Sequence, residues 1–197
     1  MSDAQTLSVY EARAAEYAEK TDHDNETDPQ LAAFIEACPK GGRVLDLGCG
    51  PGMSAAVMAK HGLRVDAADA TPAMVRLAAE HSGVNARQAT FDDIDEEGVY
   101  DGIWASFSLL HAAKRDLPRH LGAVNRALKP GGMICIGMKL GEGEERDELG
   151  RHYAYYSTHE LDGLLEKAGF TVLDHRFGRS TGLSGAESDW VQVSARA

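Results

Sequence analysis

The stretch VLDLGCGPG, residues 44–52, sets one aspartate in an apolar run and follows it with three glycines in five positions. An apolar run that breaks at a glycine-rich turn predicts a buried strand opening into a helix. Gly48 and Gly50 carry no Cβ, so the backbone can take positive φ there and lie against a ligand. In a parallel α/β sheet, ligands gather beyond the carboxyl ends of the strands, where this turn would fall. Asp46 then restricts the ligand. A carboxylate two residues before Gly48 would repel a pyrophosphate, and counting G-x-G-x-x-G from Gly48 puts Met53 at the third glycine. A nicotinamide-dependent oxidoreductase is disfavoured on both counts, and by the lack of a second mononucleotide-binding half.

The run LRVDAAD ends at Asp69, 23 residues after Asp46, the separation at which an acid closing the second strand meets a ribose diol. A cation-seeking carboxylate on one strand and a ribose-seeking one on the next describe a ligand with a cationic amino acid end and a nucleoside end. S-adenosylmethionine has that shape.

Outward from this centre, apolar runs of about five residues alternate with helical patterns, which predicts βαβ units and a parallel sheet. The strands are expected at 43–48, 63–69, 84–89, 100–107, 132–139, 170–177 and 189–196, with helices at 53–61, 72–81, 116–128 and 158–168. Thr71-Pro72 and Ser157-Thr158 supply helix starts. The last two strands have only the glycine-rich GRSTGLSGAES between them and should form an antiparallel hairpin. The expected fold is thus α/β and Rossmann-like: a seven-stranded, mostly parallel sheet with helices on both faces. Residues 1–40, with helical patterns at 7–20 and 28–37, form a lid on a core of 41–197, all within a single domain.

Thirty-one acids against 20 bases give a net charge of −11, which repels nucleic acid and anionic membrane surfaces. Cys38, Cys49 and Cys135 lack metal-ligand spacing and imply a reduced chain. The N-terminal MSDAQTLSVYEARAAEY has neither the basic start nor the apolar core of a secretion signal. No run approaches the roughly 20 apolar residues of a membrane span. A cytoplasmic protein with a small-molecule partner is expected. The acidic TDHDNETD, residues 21–28, invites a calcium reading, but a loop started at Asp22 lacks the glycine at its sixth position and the glutamate at its twelfth.

These residues carry a family resemblance. VLDLGCGPG resembles the first motif of the class I S-adenosylmethionine-dependent methyltransferases. DAADATPAMVRLA is similar to their second, an acid followed by Thr-Pro and then Met. YDGIWASFSLLHA and LKPGGMICIG resemble the fourth-strand motif and the strand after it. The resemblance implies S-adenosylmethionine as cofactor and S-adenosylhomocysteine as product. It places Gly48, Cys49 and Gly50 along the methionyl part, Asp46 on the loop or the ammonium, Asp69 on the ribose, and Ala70 and Met74 beside the adenine. Thr90 stands where the family often has an adenine-binding acid, with Phe91 or Asp92 as alternative contacts. Ser106 offers backbone, and YEARAAEY resembles a lid in which Tyr10, Arg13 and Tyr17 close over the methionine end.

Methyl transfer from a sulfonium needs a nucleophile held in line, and a base only if the acceptor keeps its proton. His111, at the end of the fourth-strand motif, is the candidate base; a structural histidine is the alternative. Arg151, His152, Tyr153, Tyr155 and Tyr156 form a polar aromatic cluster suited to a small acceptor, with Arg151, Tyr153 and Tyr156 as its contacts. The Pro-Pro-aromatic motif of amino-methylating DNA enzymes is missing from ASFSLLHA. A cofactor-binding protein without catalysis is the remaining alternative.

Overall fold

The computed structural model describes residues 3–21 and 25–197, so residues 22–24 of the acidic loop lie outside it. Its centre is β1 (Arg43–Leu47), β2 (Arg64–Asp69), β3 (Val84–Gln88), β4 (Tyr100–Ser106) and β5 (Leu128–Lys139), parallel and ordered β3-β2-β1-β4-β5. Strand alternation splits the core in two. Leu45, Leu47, Ile103, Ile134 and Ile136 face α6 (Leu117–Ala127) and α7 (Thr158–Lys167). Val44, Val65, Trp104 and Cys135 pack on the other face with Leu31 and Phe34 of α3 (Pro29–Ala37) and Met58 of α4 (Met53–Lys60). α5 (Pro72–Ala78) follows β2 and begins at the expected Thr71-Pro72, although the Thr71 hydroxyl makes no cap bond.

Three departures from the sequence expectation matter for the site. The helix expected at 7–20 is two helices, α1 (Ala4–Ala12) and α2 (Ala14–Thr21), broken at Arg13 with φ −119°. The acidic segment after β5, for which no strand was expected, forms a small hairpin of β6 (Glu144–Arg146) and β7 (His152–Ala154). The C-terminal hairpin is longer than expected, because β8 (Thr171–Thr181) and β9 (Glu187–Arg196) both extend into the glycine-rich connection. β9 inserts antiparallel between β5 and the edge strand β8, completing seven strands.

α1 and the β6–β7 hairpin meet along one helical face. Asp3, Thr6 and Tyr10 repeat at helical spacing. Asp3 takes both Arg146 guanidinium arms at 2.9 and 2.7 Å, the Thr6 hydroxyl accepts the His152 N–H at 2.8 Å, and Arg151 donates to the Tyr10 hydroxyl at 2.9 Å. Farther along α1, Glu11 accepts the Ala73 N–H at 2.8 Å, supplying the start of α5 with the cap that Thr71 does not.

Candidate cofactor and acceptor site

The glycine loop is held in a form that only glycine adopts readily. Gly48, Gly50 and Gly52 have φ of 73°, 54° and 87°. A Cβ on Gly48 would also lie 2.3 Å from the Ser108 Cβ, so both conformation and space exclude a side chain there. The Gly48 and Cys49 N–H groups both donate to the Ala68 carbonyl, at 2.7 and 3.0 Å. Asp69 completes the clasp by accepting the Gly50 N–H at 3.0 Å and the Thr71 N–H at 2.8 Å.

Asp46 behaves differently. It is 3% exposed, and its Oδ2 is buried without a hydrogen-bond partner. Burial, with the Asp69 carboxylate nearby, pushes it up to about 7. An unpaired buried carboxylate costs several kcal/mol unless a cation reaches it. The ammonium of S-adenosylmethionine is such a cation, and the site fits it.

Asp46, Gly48, Gly50 and Asp69 line one side of a cavity of about 270 Å³. Ala70, Met74, Thr90 and Phe91 line it beyond Asp69, and Cys49 and Ser106 belong to it as well. The Thr90 hydroxyl is spent on a reciprocal cap with Asp93, so it has no hydrogen to spare for an adenine. Tyr10 of α1 and Tyr17 of α2, packed edge to face at 5.4 Å, line another side of the cavity, with the Tyr17 ring against Gly50.

Two expected cofactor contacts fall outside this cavity. Arg13, at the break between α1 and α2, points outward and pairs with Glu16 at 3.2 Å. Asp92 is turned away by its ion pair with Arg119 of α6. Among the expected acceptor contacts, Tyr156 is buried beyond β7 under the Lys114 ammonium, 4.5 Å from its ring centre. Arg151 and Tyr153, in contrast, line a second cavity of about 210 Å³.

The two cavities share a wall of Tyr10, Tyr17, Thr21, Phe107 and His111. The hydrogen bonds at His111 fix its tautomer. Its Nδ1 lies 2.6 Å from the His152 carbonyl, which can only accept, so Nδ1 carries the hydrogen. Nε2 then accepts from the Tyr10 hydroxyl at 2.9 Å. Burial lowers His111 to about 4, leaving the ring neutral at neutral pH.

Sequence reasoning missed Phe107, Trp190, Lys139 and Gln192. Phe107 has φ of 55°, a strained state for an aromatic residue, and packs edge-on against Trp190 at 5.7 Å. Lys139 and Trp190 are register partners on β5 and β9. Gln192, also on β9, donates to the Ser106 hydroxyl at 3.1 Å.

A family model described as a methyltransferase domain matches residues 17–175. The chain belongs to the class I S-adenosylmethionine-dependent methyltransferases. Two fungal proteins, from Talaromyces variabilis and Neonectria sp., are similar to it, and both are named S-adenosyl-L-methionine-dependent Diels-Alderases. The first is 28% identical over 71% of this chain and 56% of its own length, the second 30% identical over 82% and 70%. This methyltransferase-family chain therefore spans little more than half of the first relative. A solved Burkholderia thailandensis 1,6-didemethyltoxoflavin-N1-methyltransferase, holding 1,6-didemethyltoxoflavin and S-adenosylhomocysteine, superposes with a TM-score of 0.80 at 23% identity, over 98% of this chain and 87% of that one. No described helix is long and apolar enough to cross a membrane.

Proposed function

We propose that the protein transfers a methyl group from S-adenosylmethionine to a small-molecule acceptor held in the second cavity. The observation that carries this is the wall shared by the two cavities, one floored by a buried carboxylate with one oxygen unpartnered and the other lined with aromatic rings. The cofactor, when bound, supplies an electrophilic methyl on a sulfonium. Asp46 would take its ammonium and Asp69 its ribose hydroxyls, with Gly48 and Gly50 permitting close backbone approach. Tyr10 and Tyr17 would exclude water, and Phe107 and His111 would position the acceptor from the shared wall. Because Tyr10 occupies His111 Nε2, His111 works as a base only after Tyr10 releases it. The three buried, unpaired cysteines suit a reducing cytoplasmic compartment.

The test is calorimetric titration with S-adenosylhomocysteine and with NADH, followed by incubation of methyl-labelled cofactor with candidate acceptors. Binding of the first and not the second, with label passing to an acceptor, is expected. Binding of NADH alone would reject the proposal. Product formed with no label transferred and no S-adenosylhomocysteine released would favour a Diels-Alderase reaction, the activity for which the two fungal relatives are named.

A further inference from the structure

The second cavity carries charge of the opposite sign to the molecule. The chain has a net charge of −11, yet the ionisable residues lining this cavity with a permanent charge are Lys20, Lys139 and Arg151, and no carboxylate belongs to the lining. Two of these cations are already engaged. Asp147 neutralises Arg151 through two contacts, at 2.9 and 2.6 Å, and the third guanidinium arm goes to Tyr10. Lys20 donates to the Gly182 carbonyl at 2.6 Å.

Lys139 is different. It is half-buried at the end of β5, and its ammonium lies 4.0 Å from the Tyr153 ring centre. Among the described residues no carboxylate pairs with it; Asp147 and Glu145 act on it only at longer range. An aromatic face contributes about 1 kcal/mol and does not cancel the charge. Burial and the Arg151 charge lower its proton affinity, the response of a cation short of a counter-ion. Its register partner Trp190 holds a buried indole N–H that also lacks a hydrogen-bond partner. The unmatched cation and the unmatched donor thus belong to residues that line one cavity among aromatic rings, and one kind of molecule would satisfy both.

We infer that the acceptor is a planar conjugated acid bound as its anion, with Lys139 as the specificity-determining counter-charge and Trp190 donating to an acceptor atom on the ring system. This inference rests on the methyl-transfer reading above. In that step the anionic atom of the acceptor forms a bond to the methyl carbon as the carbon–sulfur bond breaks. The electron pair leaves on sulfur, the positive and negative charges cancel, and no proton moves. That balance agrees with His111, whose Nε2 is already occupied: an acceptor that arrives ionised needs no base.

The experiment compares 2-naphthoate with its neutral counterpart 2-naphthamide, titrated by Trp fluorescence and calorimetry into protein saturated with S-adenosylhomocysteine. The naphthoate is expected to bind about tenfold tighter or more. Lys139→Gln should bring the two within about twofold, while Lys139→Arg keeps the preference. S-adenosylhomocysteine affinity, measured in the same samples, should be equal in all three proteins and shows that each is folded. Equal binding of the two probes, no binding of naphthoate, or a preference that survives in Lys139→Gln would overturn the inference. Failure of S-adenosylhomocysteine to bind the unmutated protein would instead reject the methyl-transfer reading itself.

Discussion

S-adenosylhomocysteine will bind about tenfold more tightly at about pH 8 than at about pH 6, because Asp46 must be ionised to meet the ligand's ammonium. With its proton affinity centred at about 7, Asp46 is ionised in about one molecule in ten at the lower pH and about nine in ten at the higher. Binding at the lower pH must therefore expel close to one proton. Calorimetry in two buffers of different ionisation enthalpy counts it directly. The same group sets the stability of the ligand-free protein, with the opposite trend. Its folded value lies above the ordinary 3.8, so the folded state holds the proton more firmly than the unfolded one. Stability is then lost as pH rises from about 4 to about 7, reaching a deficit of about 4 kcal/mol above that window. Asp46→Asn should remove both effects, raising the melting temperature of the ligand-free protein at about pH 8 while weakening the ligand and flattening its pH dependence. Affinity that stays level across the range, or a slope that persists in Asp46→Asn, would refute the assignment of Asp46 to the ammonium.

Gly48→Ala should abolish cofactor binding and cost about 2–4 kcal/mol of stability, since it adds a strained φ to a clash with Ser108; thermal unfolding checks the second part. Asp69→Ala should weaken S-adenosylhomocysteine by about 1–3 kcal/mol through loss of the diol contact and release of the Gly50 clasp, measured by calorimetry. Tyr10→Phe should keep the ring packing against Tyr17 but leave the Arg151 arm and His111 Nε2 without their partner, costing about 1–3 kcal/mol in chemical denaturation. Arg146→Ala should speed cofactor dissociation about fivefold in stopped-flow measurements, with association little changed.

The turn at 48–52 was legible because a positive φ leaves a direct mark, glycine, and the strand before it is an apolar run interrupted only by Asp46. Asp46 and Asp69 were legible for the same reason, as charges set where apolar residues are expected. The break at Arg13 has no such mark: YEARAAEY contains neither glycine nor proline, and the turn before the break is held by tertiary contacts of Tyr10 and Glu11 that no local pattern reveals. The β6–β7 hairpin hid in an acidic segment whose strands are three residues long and are anchored on residues near the N-terminus. Lys139 and Trp190 lie far apart in the chain and become neighbours only because β9 inserts beside β5. Arg151, Tyr153 and Tyr156 looked alike in the sequence. The chain passes from β7 to a bridge between Leu140 and Tyr156, which carries the last ring away from the cavity.

The face of α1 that carries Asp3, Thr6 and Tyr10 also has a temporal consequence. Tyr10 and Tyr17 line the wall that the two cavities share, so release of a bound ligand is expected to follow separation of that face from the hairpin, with the break at Arg13 as the pivot. Residence time is then written in a few polar contacts, the outermost of them a partly exposed ion pair. Such a pair is screened by salt. Ionic strength should thus quicken the release of spent cofactor, so that the rate of the cycle follows the medium while the chemistry inside remains shielded from it.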